Sequence, residues 1–394
     1  MSVHTALFTS RDPSSALELL PVIERLHRDG LLGIIVAATS PAIDIFRESG
    51  LCCLAVEEQV DGDRIHDSYP LLTDHQVQKA LLNRAQEIIA STKPAVVVTG
   101  CSSLGYGVDE AMVLEAARAN IPSCTYMDGW GTGNVLGDVR ADMLLLAEET
   151  AVSFVQGWPR EHIRVIGSPR QDIIHQVDTM AERIRIRREL GIDEKGILAT
   201  FFAQTPLVDG YMENWEALIG ALSRFDNSHL LLAVKPHPKY PDHAKDLVRL
   251  AAGQGVPHIL FLSPGGNEEL FAASDLVFIV NSLCGVDHAH FVRRAGVPLG
   301  VAVYLCFGDK YRAHLQETMG YERHPYAQIG VGRTAECIDD LAKLLNDACR
   351  ERRAAIEYFL ATKTLRAQGA IEGFTRGIYR LIDGDTTGDK NHDG

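Results

Sequence analysis

The sequence predicts an α/β protein of two doubly wound domains, each with a parallel sheet between layers of helices. Three observations lead to this prediction. The chain has 394 residues, more than the roughly 250–300 at which a single core stops growing. Short apolar runs alternate with segments of helical spacing, a pattern typical of βαβ units. The alternation is interrupted near residue 175 and then resumes, so we expect two domains that face each other across a central cleft.

The first domain is predicted over residues 1–174. Its strands are the apolar runs "HTALFTS", "LLGIIVAAT", "LCCLAVEE", "PAVVVTG", "PSCTYMD", "DMLLLAE" and "IRVIGSP". These runs are β-branched or continuously apolar, as expected for strands that are covered on both faces. The segments of helical spacing between them are residues 14–29, 41–49, 73–90 and 108–120.

A charged helical stretch over residues 175–196 is predicted to link the domains. The second domain, residues 197–382, has the strand runs "GILATFFAQ", "HLLLAVKPH", "HILFLSP", "LVFIVNS" and "PLGVAVYL", separated by helical segments at 211–225, 243–253, 267–274 and 287–295. A last helical segment, residues 338–382, is predicted to close this domain and to pack back across the interface. The acidic tail, residues 383–394, has no apolar residue to bury, so we expect it to be disordered.

Charge and hydropathy exclude several classes of function. The formal net charge is −14 and no dense basic run occurs, which disfavours nucleic acids and broad anionic membrane surfaces as partners. The start of the chain has no basic segment followed by a long apolar stretch, and no run reaches the roughly 18 apolar residues of a spanning helix. We therefore expect a cytoplasmic protein with no transmembrane segment.

Three common motifs of α/β enzymes are missing from the places where their chemistry needs them. No GxGxxG follows the first strand, and neither GxxxxGK[ST] nor GxSxG occurs at a strand–helix turn. Dinucleotide redox chemistry, phosphoryl transfer by a P-loop and the usual serine-hydrolase arrangement therefore lose support.

The candidate site residues follow the predicted strands, because doubly wound sheets bind ligands at the carboxyl ends of their strands. In the first domain they are Ser10, Arg11, Ser102, Asp128, Trp130 and Glu149. In the second domain they are Gln204, Thr205, Lys235, His237, Asn281, Ser282, Cys284, Gly285, Asp287 and His288.

Lys235 and His237 lie in "LLLAVKPHPKYPDHA", where a predicted buried strand runs into two prolines. The prolines fix φ and reduce the entropy lost when the neighbouring side chains become ordered. A lysine adjoining a buried strand is costly without an anionic partner. We therefore favour an anion-binding pair, although the prolines could also simply end the strand and leave Lys235 solvated.

The stretch "VNSLCGVDHAH" predicts a strand, a small polar turn and the start of a helix. A helix N-terminus with a small residue such as Gly285 can bind a diphosphate through backbone N–H groups. A plain helix capped by Ser282 is the alternative. His288 and His290 are two apart and cannot share one helix face, so we expect no metal site; contact of Asp287 or His288 with a nucleotide is the interpretation we favour.

Asp128, in "YMDGWGTGN", is placed where a general base would be needed, at a strand end beside a tryptophan. The alternative is an Asx-turn, in which the carboxylate holds its own loop. Glu149 follows the "DMLLLAE" strand and precedes a helical segment, where capping is the default role of a carboxylate.

Three stretches resemble the GT-B superfamily of nucleotide-sugar enzymes, which pairs two Rossmann-like domains. Residues 144–174 resemble the end of the first domain with its Gly-[Asn/Ser]-Pro-Arg-x-Asp turn, here Gly167 to Asp172. Residues 230–244 are similar to the Lys-Pro-His-Pro element of capsule and teichoic-acid type transferases and to the Pro-x-His-x-Asn-Pro element of hydrolysing UDP-N-acetylglucosamine 2-epimerases. Residues 270–298 resemble the donor-phosphate element of both groups, although the Asp-Ser-Gly-Gly and paired glutamates of the epimerases are matched only by Asn281 to Gly285 and Asp287-His288.

The resemblance implies a metal-independent glycosyltransferase that needs no cofactor beyond its nucleotide-sugar substrate. The diphosphate would lie against Ser282 to Gly285 and the Lys235/His237 pair, and the acceptor hydroxyl would lose its proton to Asp128, Glu149 or His4. The alternatives are a hydrolysing nucleotide-sugar 2-epimerase and a non-catalytic two-domain protein that binds a small ligand. The donor base and sugar, the acceptor, the stereochemical outcome, weak membrane docking and a homodimer all stay open.

Overall fold

A computed structural model describes residues 4–56, 59–60, 63–64, 75–101, 107–129, 139–155, 157–173, 178–193, 195–206, 208–225, 230–237, 240–256, 258–262, 267–365 and 368–384. The chain divides into two compact units, Met1–Ile174 with Arg366–Gly394 and His175–Leu365. The predicted sites at Ser102 and Trp130, and residues 385–394 of the predicted disordered tail, lie outside the described residues. Within the described part, no helix is both long and apolar enough to cross a bilayer.

The first unit contains a seven-stranded parallel sheet. Its strands are β1 (Thr5–Ser10), β2 (Gly33–Ala38), β3 (Cys53–Ala55), β6 (Val96–Thr99), β7 (Ser123–Met127), β8 (Met143–Leu146) and β9 (Ile163–Val165), and a separate antiparallel pair is formed by β4 (Gln59–Val60) and β5 (Asp63–Arg64). The strand order is β3-β2-β1-β6-β7-β8-β9. The chain therefore changes direction across the sheet between β1 and β6, and such a switch point is where doubly wound sheets bind ligands.

Helices cover both faces of this sheet. They are α1 (Pro13–Asp29), α2 (Ala42–Glu48), α3 (His75–Thr92), α4 (Val108–Arg118) and α5 (Pro169–Ile173). Successive residues of a strand point to opposite faces, and β1 follows this rule: Phe8 packs into the core shared with α1 and α2, whereas Leu7 packs into the core shared with α3 and α4. Burial on both faces explains why the strands are continuously apolar.

The second unit contains a six-stranded parallel sheet. Its strands are β10 (Ile197–Phe202), β11 (Leu230–Lys235), β12 (Ile259–Phe261), β13 (Leu276–Ile279), β14 (Val301–Leu305) and β15 (Arg333–Ala335), in the order β12-β11-β10-β13-β14-β15. Its helices are α6 (Thr179–Glu189), α7 (Tyr211–Arg224), α8 (Pro241–Gly253), α9 (Glu268–Ala273), α10 (Cys284–Ala295), α11 (Asp309–Met319), α12 (Pro325–Gln328), α13 (Ile338–Cys349) and α14 (Arg353–Thr362). The predicted class, two doubly wound parallel-sheet units, is confirmed.

The last predicted helical segment is divided into three helices, α13, α14 and α15 (Ala370–Ile382). Arg352 adopts a left-handed conformation, with φ of 51°, between α13 and α14, and Gly369 does so, with φ of 94°, before α15. This whole segment was predicted to belong to the second domain and to pack back across the interface, whereas α15 belongs to the first unit. Phe374, Ile378 and Leu381 of α15 are buried in the same core as α1, because the helix is amphipathic and its apolar stripe fits that core.

The Gly-Ser-Pro-Arg-x-Asp turn fastens α15 to the first unit. The Asp172 carboxylate accepts hydrogen bonds from the backbone N–H groups of Gly369, at 3.1 Å, and Ile371, at 2.9 Å. Ser168 of the same turn donates its hydroxyl to the buried Glu18 carboxylate of α1 at 2.7 Å, and the Arg170 backbone N–H donates to Glu18 at 3.0 Å. In this chain the motif therefore holds structural elements together.

Replacing Asp172 with Ala is expected to lower the melting temperature by roughly 2–4 °C. The variant leaves two helix N-terminal N–H groups without their acceptor, and a lost cap costs about 1 kcal/mol. Thermal unfolding followed by circular dichroism measures the change. Asp172→Asn retains an acceptor oxygen and should recover part of the loss, whereas an unchanged melting temperature in Asp172→Ala would show that the carboxylate does not cap α15.

Candidate functional site

The carboxyl edge of the first sheet is organised by Asp109, in the first turn of α4. Its carboxylate accepts a hydrogen bond from the Thr9 hydroxyl at 2.6 Å and from the Arg11 backbone N–H at 3.2 Å. The predicted acceptor-side residues Ser10 and Arg11 are both buried, and the Ser10 hydroxyl donates to the Asp12 carbonyl at 3.0 Å. The Ser10 hydroxyl therefore stabilises its own turn, and the Asp109 carboxylate connects that turn to α4.

Asp109 and its neighbour Glu110 form a buried acidic pair that the sequence analysis did not single out. Glu110 accepts a hydrogen bond from the Gly107 backbone N–H at 2.8 Å. Burial, together with the nearby Asp109 charge, raises the pKa of Glu110 to about 8. Two acids in the first turn of a helix are a common pattern that the helix dipole favours, so nothing in the sequence separates this pair from ordinary capping. A small cavity beside the pair is lined also by Thr99, Thr125, Arg140 and Trp158.

Asp128 directly follows β7 and is half-buried at the same edge. Its Oδ2 accepts a hydrogen bond of 2.5 Å from the hydroxyl of Ser14. Ser14 lies in the first turn of α1, which follows β1. The structure therefore places the predicted base at the carboxyl end of its strand, with a partner that is distant in sequence.

Neither of the other two predicted bases lies in a comparable position. The Glu149 side chain is 72% exposed and pairs with Arg160 at 3.1 Å on the surface, because the chain turns into a short 3-10 helix, Glu149–Ser153, and directs this side chain to solvent. The buried carboxylate at this strand end is that of Glu148. His4 precedes β1 and so lies at the amino edge of the sheet, opposite to Asp128.

Lys235 is the last residue of β11 and is only 6% exposed. Burial lowers the pKa of Lys235, and the nearby Cys284, Glu269 and Glu268 act in the opposite direction. Cys284 is the first residue of α10. The structure thus brings the lysine close to the N-terminus of a helix that follows a different strand, and these two features together favour a bound anion.

His237 is half-buried two residues beyond β11. It forms an isolated backbone bridge with Tyr240, and the two rings lie 5.7 Å apart. Burial lowers the pKa of His237 below its ordinary value of 6.5. The imidazole is therefore neutral at pH 7 and can contribute one N–H donor to an anion, while Lys235 is the cationic member of the pair.

The turn between β13 and α10 is fixed by contacts from two other elements. The Gln204 side-chain oxygen accepts a hydrogen bond of 2.6 Å from the Asn281 backbone N–H, and the Tyr311 hydroxyl donates to the Val280 carbonyl at 2.6 Å. The Ser282 hydroxyl oxygen accepts from the Cys284 backbone N–H at 3.2 Å. Gln204, predicted as a ligand contact, therefore positions the turn.

Gly285 is required by packing inside the unit. A Cβ atom at this position would lie 2.5 Å from the Tyr304 hydroxyl oxygen, which is far inside van der Waals contact. The glycine was predicted to let a ligand approach the backbone, but its hydrogen faces Tyr304. A glycine at the start of a helix looks the same in the sequence whether a ligand or a packing contact requires it.

His288 belongs to the core. It has no exposed surface, its Nδ1 lies 2.9 Å from the Tyr358 hydroxyl, and the two rings stack at 5.5 Å. Burial lowers the pKa of His288 to about 3, so the ring is neutral. The prediction that His288 contacts a nucleotide is therefore wrong, because a side chain with no exposed surface cannot reach a ligand. Asp287, one residue earlier, and Thr205, just after β10, are each half-buried.

No protein-family model and no curated protein matches the chain. Solved structures match it over nearly its whole length. MnaA of S. aureus in complex with UDP has a TM-score of 0.69 at 12% identity, with 96% of this chain and 97% of that chain covered.

The UDP-GlcNAc 2-epimerase of Methanocaldococcus jannaschii in complex with UDP-GlcNAc and UDP has a TM-score of 0.63 at 13% identity, with 95% and 99% covered. A glycosyltransferase from Rickettsia africae ESF-5 has a TM-score of 0.60 at 11% identity, with 97% and 99% covered. Similarity at this level of identity establishes the architecture. The chain therefore has the GT-B fold, as its resemblance to that superfamily predicted.

Proposed function

We propose that the protein is a glycosyltransferase that moves a sugar from a nucleotide-sugar donor to an acceptor hydroxyl. The observation that carries the proposal is the burial of Lys235 at the end of β11, next to the N-terminus of α10. A cation beside a helix N-terminus favours a bound anion, because the ammonium group and the helix dipole both attract negative charge. A diphosphate seated there would pair with Lys235.

The second unit would stabilise the leaving group. When the bond between the sugar and the diphosphate breaks, negative charge grows on the β-phosphate. Lys235 and the positive end of the α10 helix dipole would meet that charge, and neutral His237 would add one hydrogen bond. The turn from Val280 to Cys284 is already fixed by Gln204 and Tyr311, so these donors need little reorganisation during the reaction. Such a set of protein donors can act in place of a metal ion.

The first unit would supply the general base. Asp128 is half-buried at the carboxyl end of β7 and accepts a hydrogen bond from Ser14. The proton of the acceptor hydroxyl would pass to Asp128 as the acceptor oxygen attacks the anomeric carbon. Glu149 has no part in this proposal, because its side chain is exposed and pairs with Arg160.

A hydrolysing 2-epimerase is the second candidate, and the similarity to the M. jannaschii epimerase favours it. An epimerase converts its sugar nucleotide without an acceptor, whereas a transferase needs one. Incubating the purified protein with UDP-, GDP-, CDP- and TDP-sugars in the absence of an acceptor separates the two candidates: rapid conversion to an isomeric sugar with release of nucleotide would select the epimerase. If no sugar nucleotide is bound or converted, with or without acceptor hydroxyls, both candidates are excluded.

Replacing Lys235 with Met is expected to weaken the binding of the nucleoside diphosphate by about 10- to 100-fold. The variant keeps the apolar stem and removes a charge-assisted hydrogen bond, which contributes roughly 1.5–3 kcal/mol. A thermal-shift screen against nucleoside diphosphates, followed by calorimetry with the nucleotide that shifts the melting temperature, measures the effect.

Lys245→Met is the matched control for this variant. Lys245 lies on α8 and pairs with Asp242 at 2.7 Å on the surface, so its removal should leave nucleotide affinity unchanged. Equal affinities in Lys235→Met and the wild-type protein would remove the leaving-group role of Lys235.

A further inference from the structure

Ser14 makes a hydrogen bond that is unusual for a serine at the start of a helix. A serine in this position commonly bonds to backbone groups of its own helix. The Ser14 hydroxyl is instead donated to Asp128 Oδ2, 114 residues away in sequence.

The part of α1 that carries Ser14 is anchored by contacts with other elements of the first unit. The adjacent Ser15 is buried, and its hydroxyl donates to the Cys101 carbonyl at 3.2 Å. Glu18, one turn further along and therefore on the same helix face as Ser14, accepts hydrogen bonds from Ser168 and Arg170. Leu19, the next residue, is fully buried. The hydroxyl of Ser14 is thus presented from a rigid element.

Asp128 is the first residue after β7. A carboxylate at the end of a strand can rotate about χ1 and χ2. In most of these rotamers its oxygens are not directed at the proton of the acceptor hydroxyl. A hydrogen bond from a rigid helix selects one orientation of the carboxylate.

We propose that Ser14 is a positioning residue that holds the Asp128 carboxylate in the orientation from which it removes the proton of the acceptor hydroxyl. This inference rests on the proposed function and names a residue that the sequence analysis did not select. The proton passes to Asp128 while the bond from the acceptor oxygen to the sugar forms and the bond from the sugar to the nucleoside diphosphate breaks.

The test compares Ser14→Ala, Ser14→Thr, Asp128→Asn and the double variant Ser14→Ala/Asp128→Asn in the full-length protein. Each is assayed for kcat and KM with the sugar nucleotide and acceptor that the wild-type protein turns over. Ser14→Ala should lower kcat about 10-fold with little change in the donor KM, a fraction of the roughly 100- to 10,000-fold that a positioned base contributes. Ser14→Thr keeps the hydroxyl and should recover most of the activity. In the Asp128→Asn background, Ser14→Ala should have no further effect on kcat.

Melting temperatures provide a readout that does not depend on activity. If the side chains contact each other, the shifts of Ser14→Ala and Asp128→Ala are not additive in their double variant, because Asp128→Ala removes the acceptor of the hydrogen bond. Ser91→Ala is the control, because the exposed Ser91 hydroxyl on α3 donates to its own helix at the Ile88 carbonyl; it should leave kcat unchanged.

The outcomes separate the inference from the proposed function. Additive effects on kcat, or a Ser14→Thr variant as slow as Ser14→Ala, would overturn the positioning role even if the melting temperatures show that the contact exists. Wild-type turnover in Asp128→Asn would remove the base on which Ser14 is proposed to act. A wild-type protein that turns over no sugar nucleotide would overturn the proposed function, and the inference with it.

Discussion

Replacing Asp128 with Asn is expected to lower kcat by about 100- to 10,000-fold, because a positioned general base contributes a factor of this size. Asn has nearly the same shape and can still accept the hydrogen bond of Ser14, but it cannot take up the proton of an acceptor hydroxyl. Binding of the donor nucleotide should be unchanged, because the proposed diphosphate site belongs to the second unit. Steady-state kinetics and calorimetric titration with the nucleotide measure the two properties separately.

Asp142→Asn is the matched control for this prediction. The Asp142 carboxylate accepts a hydrogen bond of 2.8 Å from the backbone N–H of Ser123, the first residue of β7. It therefore lies at the amino end of the strand that Asp128 follows at its carboxyl end. Loss of turnover in both variants would indicate general damage to β7, and retention of turnover in Asp128→Asn would show that another group accepts the proton.

The two sheets could be predicted from the sequence because each central strand is buried on both faces. Runs such as Val96–Thr99 and Leu276–Ile279 are fully buried, so continuous apolarity was a direct consequence of their position. The β15 strand of the second sheet was missed. The β15 segment, Arg333–Ala335, is three residues long and pairs on one side only with β14, and nothing in its composition separates it from a loop.

The residue at which the last helical segment passes from one unit to the other could not be predicted, because it depends on contacts that are distant in sequence. A helical period over residues 338–382 does not show where the chain changes partners. The assignment of α15 to the first unit rests on its apolar face and on the bonds from Gly369 and Ile371 to Asp172, almost 200 positions earlier. Periodicity reports which face of a helix is apolar, but not which core that face enters.

Lys235 was predicted as a site residue from local chemistry alone, because a cation that ends an apolar strand is rare and needs an explanation. Its binding role stays a prediction. Ser14 and Asp109 could not be found, because their importance lies in contacts with residues about 100 positions away. His288 was assigned to a ligand but lies in the core, and Gly285 is also required by packing against Tyr304, since the same residue types after a strand are compatible with both roles.

Replacing Asp275 with Ala is expected to lower the free energy of unfolding of the second unit by about 3–5 kcal/mol, because it leaves two buried guanidinium groups without their carboxylate. Arg187 pairs with Asp275 at 2.7 Å, Arg183 also pairs with it, and the Leu198 backbone N–H donates to it at 3.0 Å. Burial lowers the pKa of Arg183 and the Asp275 charge opposes that effect. The network holds α6 against the end of α9 and the start of β13.

Urea unfolding followed by circular dichroism and tryptophan fluorescence measures the loss. Asp246→Ala removes a surface pair with Arg249 at 2.7 Å in which both side chains are exposed, and it should change the free energy of unfolding by less than about 1 kcal/mol. A similar small effect in Asp275→Ala would mean that the arginines are satisfied by water or by backbone carbonyls.

The origin of the loss can be tested with the triple variant Asp275→Leu/Arg183→Met/Arg187→Met. If uncompensated charge dominates, removal of the arginines should recover part of the stability, because apolar side chains of similar volume often replace a buried ion pair at little cost. Recovery will be incomplete, since Arg183 also donates to the Ala272 and Ala273 carbonyls at 2.9 Å. If the triple variant is less stable than Asp275→Ala, these carbonyl contacts, rather than the ion pairs, account for most of the stabilisation by the network.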